Sequence, residues 1–240
     1  MSSSTALTLP PGANHLLSLL DAKTLAAIEP DLEPVALPLR RMLEREKRAV
    51  RHVWFPTEGV GSMLAASEGG EPSVEVGTVG REGMVGLSVF FGATHALGDT
   101  FMQVAGAGWR MPAESFVRAA RAHPDLTRVL HRYAQALMVQ MSQAVACNRK
   151  HSPVQRCARW LLMTRDRVSG DTFDLTQEFL GTMLGERRVT VSRSESALRE
   201  RGIIRYTRGS VTVLDRDRLE EAACPCYGVI RRAYETLLKG

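Results

Sequence analysis

Arg188, Ser192, Ser196 and Arg199 stand at i, i+4, i+8 and i+11, a spacing that puts them on one side of an α-helix. Val189 and Arg193 lie beside them, while Val191 and Leu198, one repeat apart, form a separate apolar edge. The first face carries short polar side chains and arginines and, apart from Val189, no large hydrophobe. Guanidinium forks pair with guanine edges and phosphates, and a face this slim fits the major groove of duplex DNA. Arg187, Arg188, Val189, Thr190, Ser192, Arg193, Ser196 and Arg199 are therefore the candidate DNA contacts on this helix.

Other chemistry is harder to assemble from the sequence. His15, His52, His95, His123, His131 and His151 are scattered singly, whereas a metal-dependent oxygenase needs clustered histidines with a carboxylate. No Ser/His/Asp or Cys/His grouping is readable. Cys147, Cys157, Cys224 and Cys226 lack the spacing of a structural zinc site or of a secreted disulfide scaffold. Cys224-Pro225-Cys226 could chelate or oxidise, but two thiols are an incomplete site. The reading is one of ordinary reduced cysteines in a cytoplasmic protein, with no catalytic residue, no metal ligand and no cofactor. The alternative is a metal-dependent cupin-type enzyme, which stoichiometric iron or manganese would reveal.

The elements that must position the groove face surround it in sequence. Phe179, Leu180, Met183 and Leu184 predict a preceding helix, with Thr176 as N-cap, Glu178 in its first turn and a tight turn at Gly185. Gly202 ends the second helix. Strand-like pieces over 203–206 and 211–214, joined by Thr207-Arg208-Gly209-Ser210, form a hairpin, the wing beside a helix-turn-helix. Arg205 and Arg208 on that wing are assigned to phosphates.

Charge divides the chain in the same sense. Residues 1–148 carry 13 Lys and Arg against 14 Asp and Glu, a net of −1, and residues 149–240 carry 18 against 12, a net of +6. Only the C-terminal portion is built to meet a polyanion. No apolar run has the length of a membrane span, and no Lys or Arg precedes Lys23, so the basic region of a signal peptide is missing.

Upstream, residues 1–13 read as a disordered lead-in and 14–29 as one or two short helices capped by Asn14 and Asp21. From 35 to 111, short apolar pieces alternate with turn residues: 35–39, 52–55, 60–66, 74–79, 84–87, 100–104 and 109–111. Pro56, Glu58-Gly59 and Glu68-Gly69-Gly70 are among the turns. That texture predicts a β-barrel or jelly roll. The charged stretch 40–51 is read as strands around a solvated turn. A short helix over 113–122 follows, then a long one over 125–148, whose Leu126, Leu130, Tyr133, Leu137 and Met141 recur near heptad spacing, widened by Val129 and Val145. That stripe is assigned to pairing with a second copy. A further helix over 154–168 leads into the winged region.

A β-roll, a long helix and a winged helix-turn-helix, in that order, resemble the catabolite activator/FNR (Crp/Fnr) superfamily of bacterial transcription regulators. LTQEFLGTMLGERRVTVSRSESALRERGIIRYTRGSVTVLD carries the resemblance most specifically, with HSPVQRCARWLL, HVWFPTEGVGSML and VGREGMVGLSVFFG in support. It implies an α+β chain with a sensory β-roll domain over 14–124, a dimerisation helix over 125–148 and a DNA-binding domain over 149–240. It further implies a homodimer on a palindromic operator, with RNA polymerase as a partner at promoters. Arg188 and Arg193 match two base-reading arginines of cyclic-AMP-binding members, but Val189 replaces their glutamate and can meet only a thymine methyl. In the nucleotide cassette, Leu87 falls near the expected glutamate and Asp99-Thr100 near the expected Arg-Thr. An aspartate where a phosphate must sit excludes cyclic AMP. Met84, Leu87, Ser88, Asp99 and Thr100 remain the candidate effector pocket, its effector unknown; a partner protein docking on the β-roll is the other source of control.

Overall fold

The computed structural model describes residues 13–66 and 74–239. The lead-in expected over 1–13 lies, Ala13 apart, outside the described residues, as does Glu68-Gly69-Gly70. Two compact units divide the chain: Met1–Gly61 with Val79–Ala136 and Tyr234–Gly240, and Ser62–Thr78 with Leu137–Ala233. The divide thus falls inside the long helix and inside a hairpin, rather than at 124/125 and 148/149.

In the first unit, Asn14 is wholly buried because it serves two purposes. Its Oδ1 accepts from the N–H groups of Leu16 and Leu17, capping α1 (His15–Ser18), and its Nδ2 donates to the carbonyls of Pro56 and Gly83 at 2.8 and 2.7 Å. Asp21 caps α2 (Ala22–Ile28) through the Thr24 N–H. Both caps are those read from the sequence. The β-roll sheet runs β1-β5-β3-β4, with β2 also on β5. Its strands are β1 (Glu33–Leu37), β2 (Met42–Glu44), β3 (His52–Leu64), β4 (Glu75–Val79) and β5 (Thr100–Pro112). Glu33 pairs in register with Arg110, whose guanidinium donates twice to the Glu33 carboxylate.

Several expected strands merge here. β3 runs through Pro56 and Gly59, and β5 joins the pieces expected at 100–104 and 109–111. At Gly59 the backbone is left-handed (φ +86°), and a Cβ would stand 2.7 Å from the Val104 carbonyl oxygen. A glycine there lets the strand bend without ending. The strand expected at 84–87 is not one. Only Val85 bridges, to Trp54, and a 3-10 turn, Leu87–Phe91, follows. Within 40–51 only β2 is a named strand; a turn at 46–48 follows, and Ala49 makes an isolated bridge to His95.

The helix α3 (Ala113–Ala122) has the predicted bounds, and α4 runs Pro124–Lys150. In the first unit, the Tyr133 hydroxyl donates to the Met84 carbonyl at 2.9 Å over Gly83, where a Cβ would come within 2.6 Å of the ring. Leu126, Val129, Leu130 and Tyr133 are buried in their own chain, as is Leu137 at the start of the second unit's part of α4. The stripe assigned to dimer pairing is therefore mostly core, and Met141 is half-buried. Solvent meets a different stripe, Arg128, His131, Gln135, Met138, Ser142 and Val145, also stepping by three and four. Met138 and Val145 are 67% and 74% exposed.

The second unit is built on α5 (Pro153–Arg165), whose capping box joins Ser152 and Gln155. Its Trp160, Leu161 and Leu162 are buried, and it packs on α6 (Gln177–Leu184), α7 (Arg188–Glu200) and α8 (Arg216–Ala222). A three-stranded sheet, β6-β8-β7, closes it: β6 (Thr172–Asp174), β7 (Ile204–Thr207) and β8 (Ser210–Val213). β6 is too short to show in the sequence. The helix α9 (Cys226–Leu237) ends the chain. No helix among the described residues is long and apolar enough to cross a membrane.

Candidate nucleic-acid interface

The turn between α6 and α7 is fixed from below. Thr176 caps α6 through the Phe179 N–H, Gly185 takes φ +63°, and the Glu186 N–H returns to the Gly181 carbonyl at 2.9 Å. Arg156, buried on α5, donates to the Leu184 carbonyl and the Asn148 side chain at 3.1 Å and pairs with Glu186. One guanidinium thereby holds the C-terminus of α6 and the entry to α7. Across the two helices, Gln177 donates to the buried Glu195 carboxylate at 2.7 Å. Val191 and Leu198 seat α7 in the core, as their spacing implied.

What remains outward on α7 is the predicted face. Arg187, Arg188, Val189, Arg193 and Arg199 are exposed, and Thr190, Ser192 and Ser196 are half-buried. Val189 is 62% exposed, an apolar tip among cations. Arg187 is the N-cap residue, and since a guanidinium has no acceptor with which to cap, the first-turn N–H groups are left uncapped by it and could meet a phosphate. The wing ends in a two-residue turn with both residues left-handed, Arg208 at φ +42° and Gly209 at +87°. The Gly209 carbonyl accepts from the Leu175 N–H at 2.7 Å, which ties the wing tip to the loop before α6. Arg205 and Arg208 are both exposed. Among the described residues, no ion pair engages Arg187, Arg188, Arg193, Arg205 or Arg208.

The same unit contains a buried carboxyl group that the sequence did not single out. Glu75, on β4, accepts from the Ser62 hydroxyl at 2.6 Å and from the Trp160 indole N–H at 3.0 Å. Burial pushes it up from the ordinary 4.5 to about 7, although both donors and the nearby Arg159 and Arg167 pull the other way. A hairpin residue thereby meets the helix that carries the helix-turn-helix. Gln140 on α4 completes the setting, donating to the Thr78 carbonyl at 2.9 Å.

The effector-pocket candidates in the first unit do not form an anion site. The Asp99 carboxylate accepts from the Glu46 N–H at 2.8 Å, and the Thr100 hydroxyl donates to Glu44 at 3.2 Å. Burial raises the Glu44 pKa, the mark of a carboxyl with too little compensating charge. Met84 is buried, while Leu87 and Ser88 are half-buried at the start of the 3-10 turn. A cleft in this unit is lined instead by Val89, Phe90, Thr94, Val117, Arg121 and Thr127, with none of the five expected residues on its wall.

A β-roll, a long helix and a winged helix-turn-helix, in that order, are matched by known proteins. Residues 155–222 match the Crp-like helix-turn-helix domain, and that span runs from α5 through α8. Similar solved structures include FixK2 of Bradyrhizobium japonicum, with 16% identity and a TM-score of 0.68 over 80% of this chain and 98% of that one. A putative regulator of the crp/fnr family from Eubacterium rectale shares 16% identity at a TM-score of 0.66, over 86% and 96% of the two chains. The c-di-GMP responsive global regulator CLP of Xanthomonas campestris shares 14% at 0.64, over 80% and 99%. No curated protein matches by sequence. The fold of the chain is similar to that of Crp/Fnr regulators, and its C-terminal unit matches the Crp-like helix-turn-helix domain.

Proposed function

We propose that the chain is a homodimeric, sequence-specific transcription regulator that reads a palindromic operator and works with RNA polymerase at promoters. Its β-roll answers to something other than cyclic AMP, or has lost ligand binding. The observation that carries this reading is the set of exposed arginines on α7 and the wing, none engaged in an ion pair among the described residues. Arginines without protein partners on a groove-sized face are ready for base edges and phosphates. Arg208 adds to this. A left-handed turn position favours glycine or asparagine, so an arginine held there points to use of its side chain. Selection of bound fragments from genomic DNA tests the proposal. A two-fold symmetric motif is expected, with half-site centres about 34 Å apart; enrichment without any motif would overturn sequence-specific reading.

For the dimer, the supporting surface is the exposed stripe of α4, with Met138 and Val145 as its large apolar members. Replacing both by glutamate should give folded monomers that lose operator binding, read by sedimentation together with an unchanged unfolding midpoint. Leu130→Glu should instead unfold the chain, because that side chain is 1% exposed within a single copy. A doubly substituted protein that still sediments as a dimer would place the interface elsewhere.

Cyclic AMP should neither bind nor alter DNA affinity. Its phosphate would meet Asp99 and the Glu44 carboxyl where relatives that bind it supply an arginine. Calorimetry of the full-length protein at physiological nucleotide concentration should show no saturable heat, and micromolar binding would refute the argument.

A further inference from the structure

Cys147 lies in the last turn of α4 and His151 just beyond its end, where the His151 N–H donates to the Cys147 carbonyl at 3.1 Å. Cys224 and Cys226 flank Pro225 in the corner between α8 and α9. Separated by more than seventy residues in sequence, the two pairs converge in the second unit. The four donor atoms, three Sγ and one imidazole nitrogen, lie within 4.8 Å of one another. Cys147 Sγ is 3.3 Å from Cys224 Sγ, and Cys226 Sγ is 3.6 Å from His151 Nδ1.

We propose that Cys147, His151, Cys224 and Cys226 bind one structural zinc ion. Zn–S bonds of about 2.3 Å in a tetrahedron put neighbouring sulfurs about 3.8 Å apart, inside the range seen here. A cubane iron–sulfur cluster holds its thiolates on separate irons and needs a wider cage. The ligand set is three soft thiolates and an imidazole, the Cys₃His composition of closed zinc sites. All four positions are filled by protein, so the site has no open coordination position and its task is to fasten elements together.

Charge supports the same assignment. Three thiolates, a neutral imidazole and Zn²⁺ sum to one negative charge. Arg159, 8% exposed on α5, stands beside all three thiols, and its Nε has no hydrogen-bond partner. Besides Met163, whose sulfur accepts from Arg159, its nearby counter-charge is Glu75, which it shares with Arg167; a metal-thiolate centre would add another. Cys147, Cys224 and Cys226 are each at most 4% exposed, whereas His151 is half-buried and forms the rim through which an ion enters. The ion would join the end of α4 to the α8–α9 corner, next to the Ser152 cap that starts α5. Sequence spacing hid the site because its pairs are so distant. C-x₃-H and C-P-C are each incomplete ligand pairs, and nothing in the spacing joins them.

Full-length protein purified under reducing conditions should carry about one zinc per chain by elemental analysis. Cys224→Ser and Cys226→Ser should each lose most of it. Cys157→Ala should retain it, since that buried thiol lies outside the cluster. His151→Cys should also retain zinc, and His151→Ala should not. A measurement on the unsubstituted protein guards against variants that fail to fold. Reduced apoprotein given Co²⁺ should show thiolate-to-cobalt charge transfer and the strong d–d absorption of a tetrahedral site, both bleached by added Zn²⁺. Absence of both zinc and a cobalt spectrum would overturn the proposal. So would a Cys147–Cys224 disulfide persisting in reductant, or iron bound together with inorganic sulfide.

Discussion

Arg188→Ala should abolish preference at one base position in each half-site while leaving affinity for scrambled DNA nearly unchanged. Arg188 opens α7 on its exposed face, one turn before Ser192 and near Arg193, at the helix end that the proposed reading puts in the groove. A bidentate arginine–guanine pair contributes about 1–3 kcal/mol of discrimination. Two half-sites would engage together in the proposed dimer, so the operator should lose roughly 2–6 kcal/mol, the largest effect on operator affinity expected from a single contact residue. Arg208→Ala is the internal contrast. If on the wing tip its guanidinium meets backbone rather than base edges, as proposed, operator and scrambled DNA should weaken alike. The salt dependence should fall by about one counterion unit per subunit. Titrating both variants against both DNAs at several salt concentrations separates these roles. If Arg188→Ala weakened the two DNAs equally, α7 would be a basic patch rather than a reader.

The second large effect concerns pH. Glu75 is held at about 7 in the folded protein against an ordinary 4.5, chiefly because it is removed from water. A folded pKa above the unfolded one means that the folded state binds the proton more tightly. The stabilisation is therefore fully present below about pH 4.5 and is lost as pH rises through about 7, a difference of about 3 kcal/mol. Glu75→Gln mimics the protonated form. Its amide oxygen can accept from Trp160, and its NH₂ can donate to the Ser62 hydroxyl, which is free to rotate. The variant should match the parent near pH 4.5 and exceed it by about 3 kcal/mol near pH 8. Denaturant unfolding of both proteins across that range measures the difference directly and cancels every other titrating group. Parallel stability curves would mean that Ser62, Trp160 and the two arginines already hold the carboxylate comfortably.

Much of the architecture was legible because it is written locally. Asn14, Asp21, Thr176 and Ser152 sit where their side chains close helix ends, and Pro112 with His123-Pro124 set the bounds of α3. The groove face of α7 could be read because helical period alone sorts Val191 and Leu198 inward and the arginines outward. What failed depended on distant partners. Pro56 and Gly59 look like turn residues until β5 lies beside them, and 84–87 has strand composition but only one bridging neighbour. The apolar stripe of α4 shows that something covers it without showing what. Leu126, Leu130 and Tyr133 turn out to be covered by their own chain. Glu75 and the Cys147–His151–Cys224–Cys226 cluster depend wholly on tertiary proximity, so spacing could not reveal them.

That inward-facing stripe has a consequence for how gene control would be set. Where a shared core is completed only by a second copy, folding and assembly are one event and the monomer does not persist. Here the aliphatic side of α4 is satisfied within each chain, leaving Met138 and Val145 as a thin outer seam. If the chain pairs through that seam, as proposed, pairing is a reversible, second-order equilibrium between folded partners. Below its dissociation constant, the amount of operator-competent protein grows with the square of the amount synthesised. Expression level itself becomes an input, and a twofold rise in copy number raises occupancy about fourfold in the dilute limit, as mass action requires.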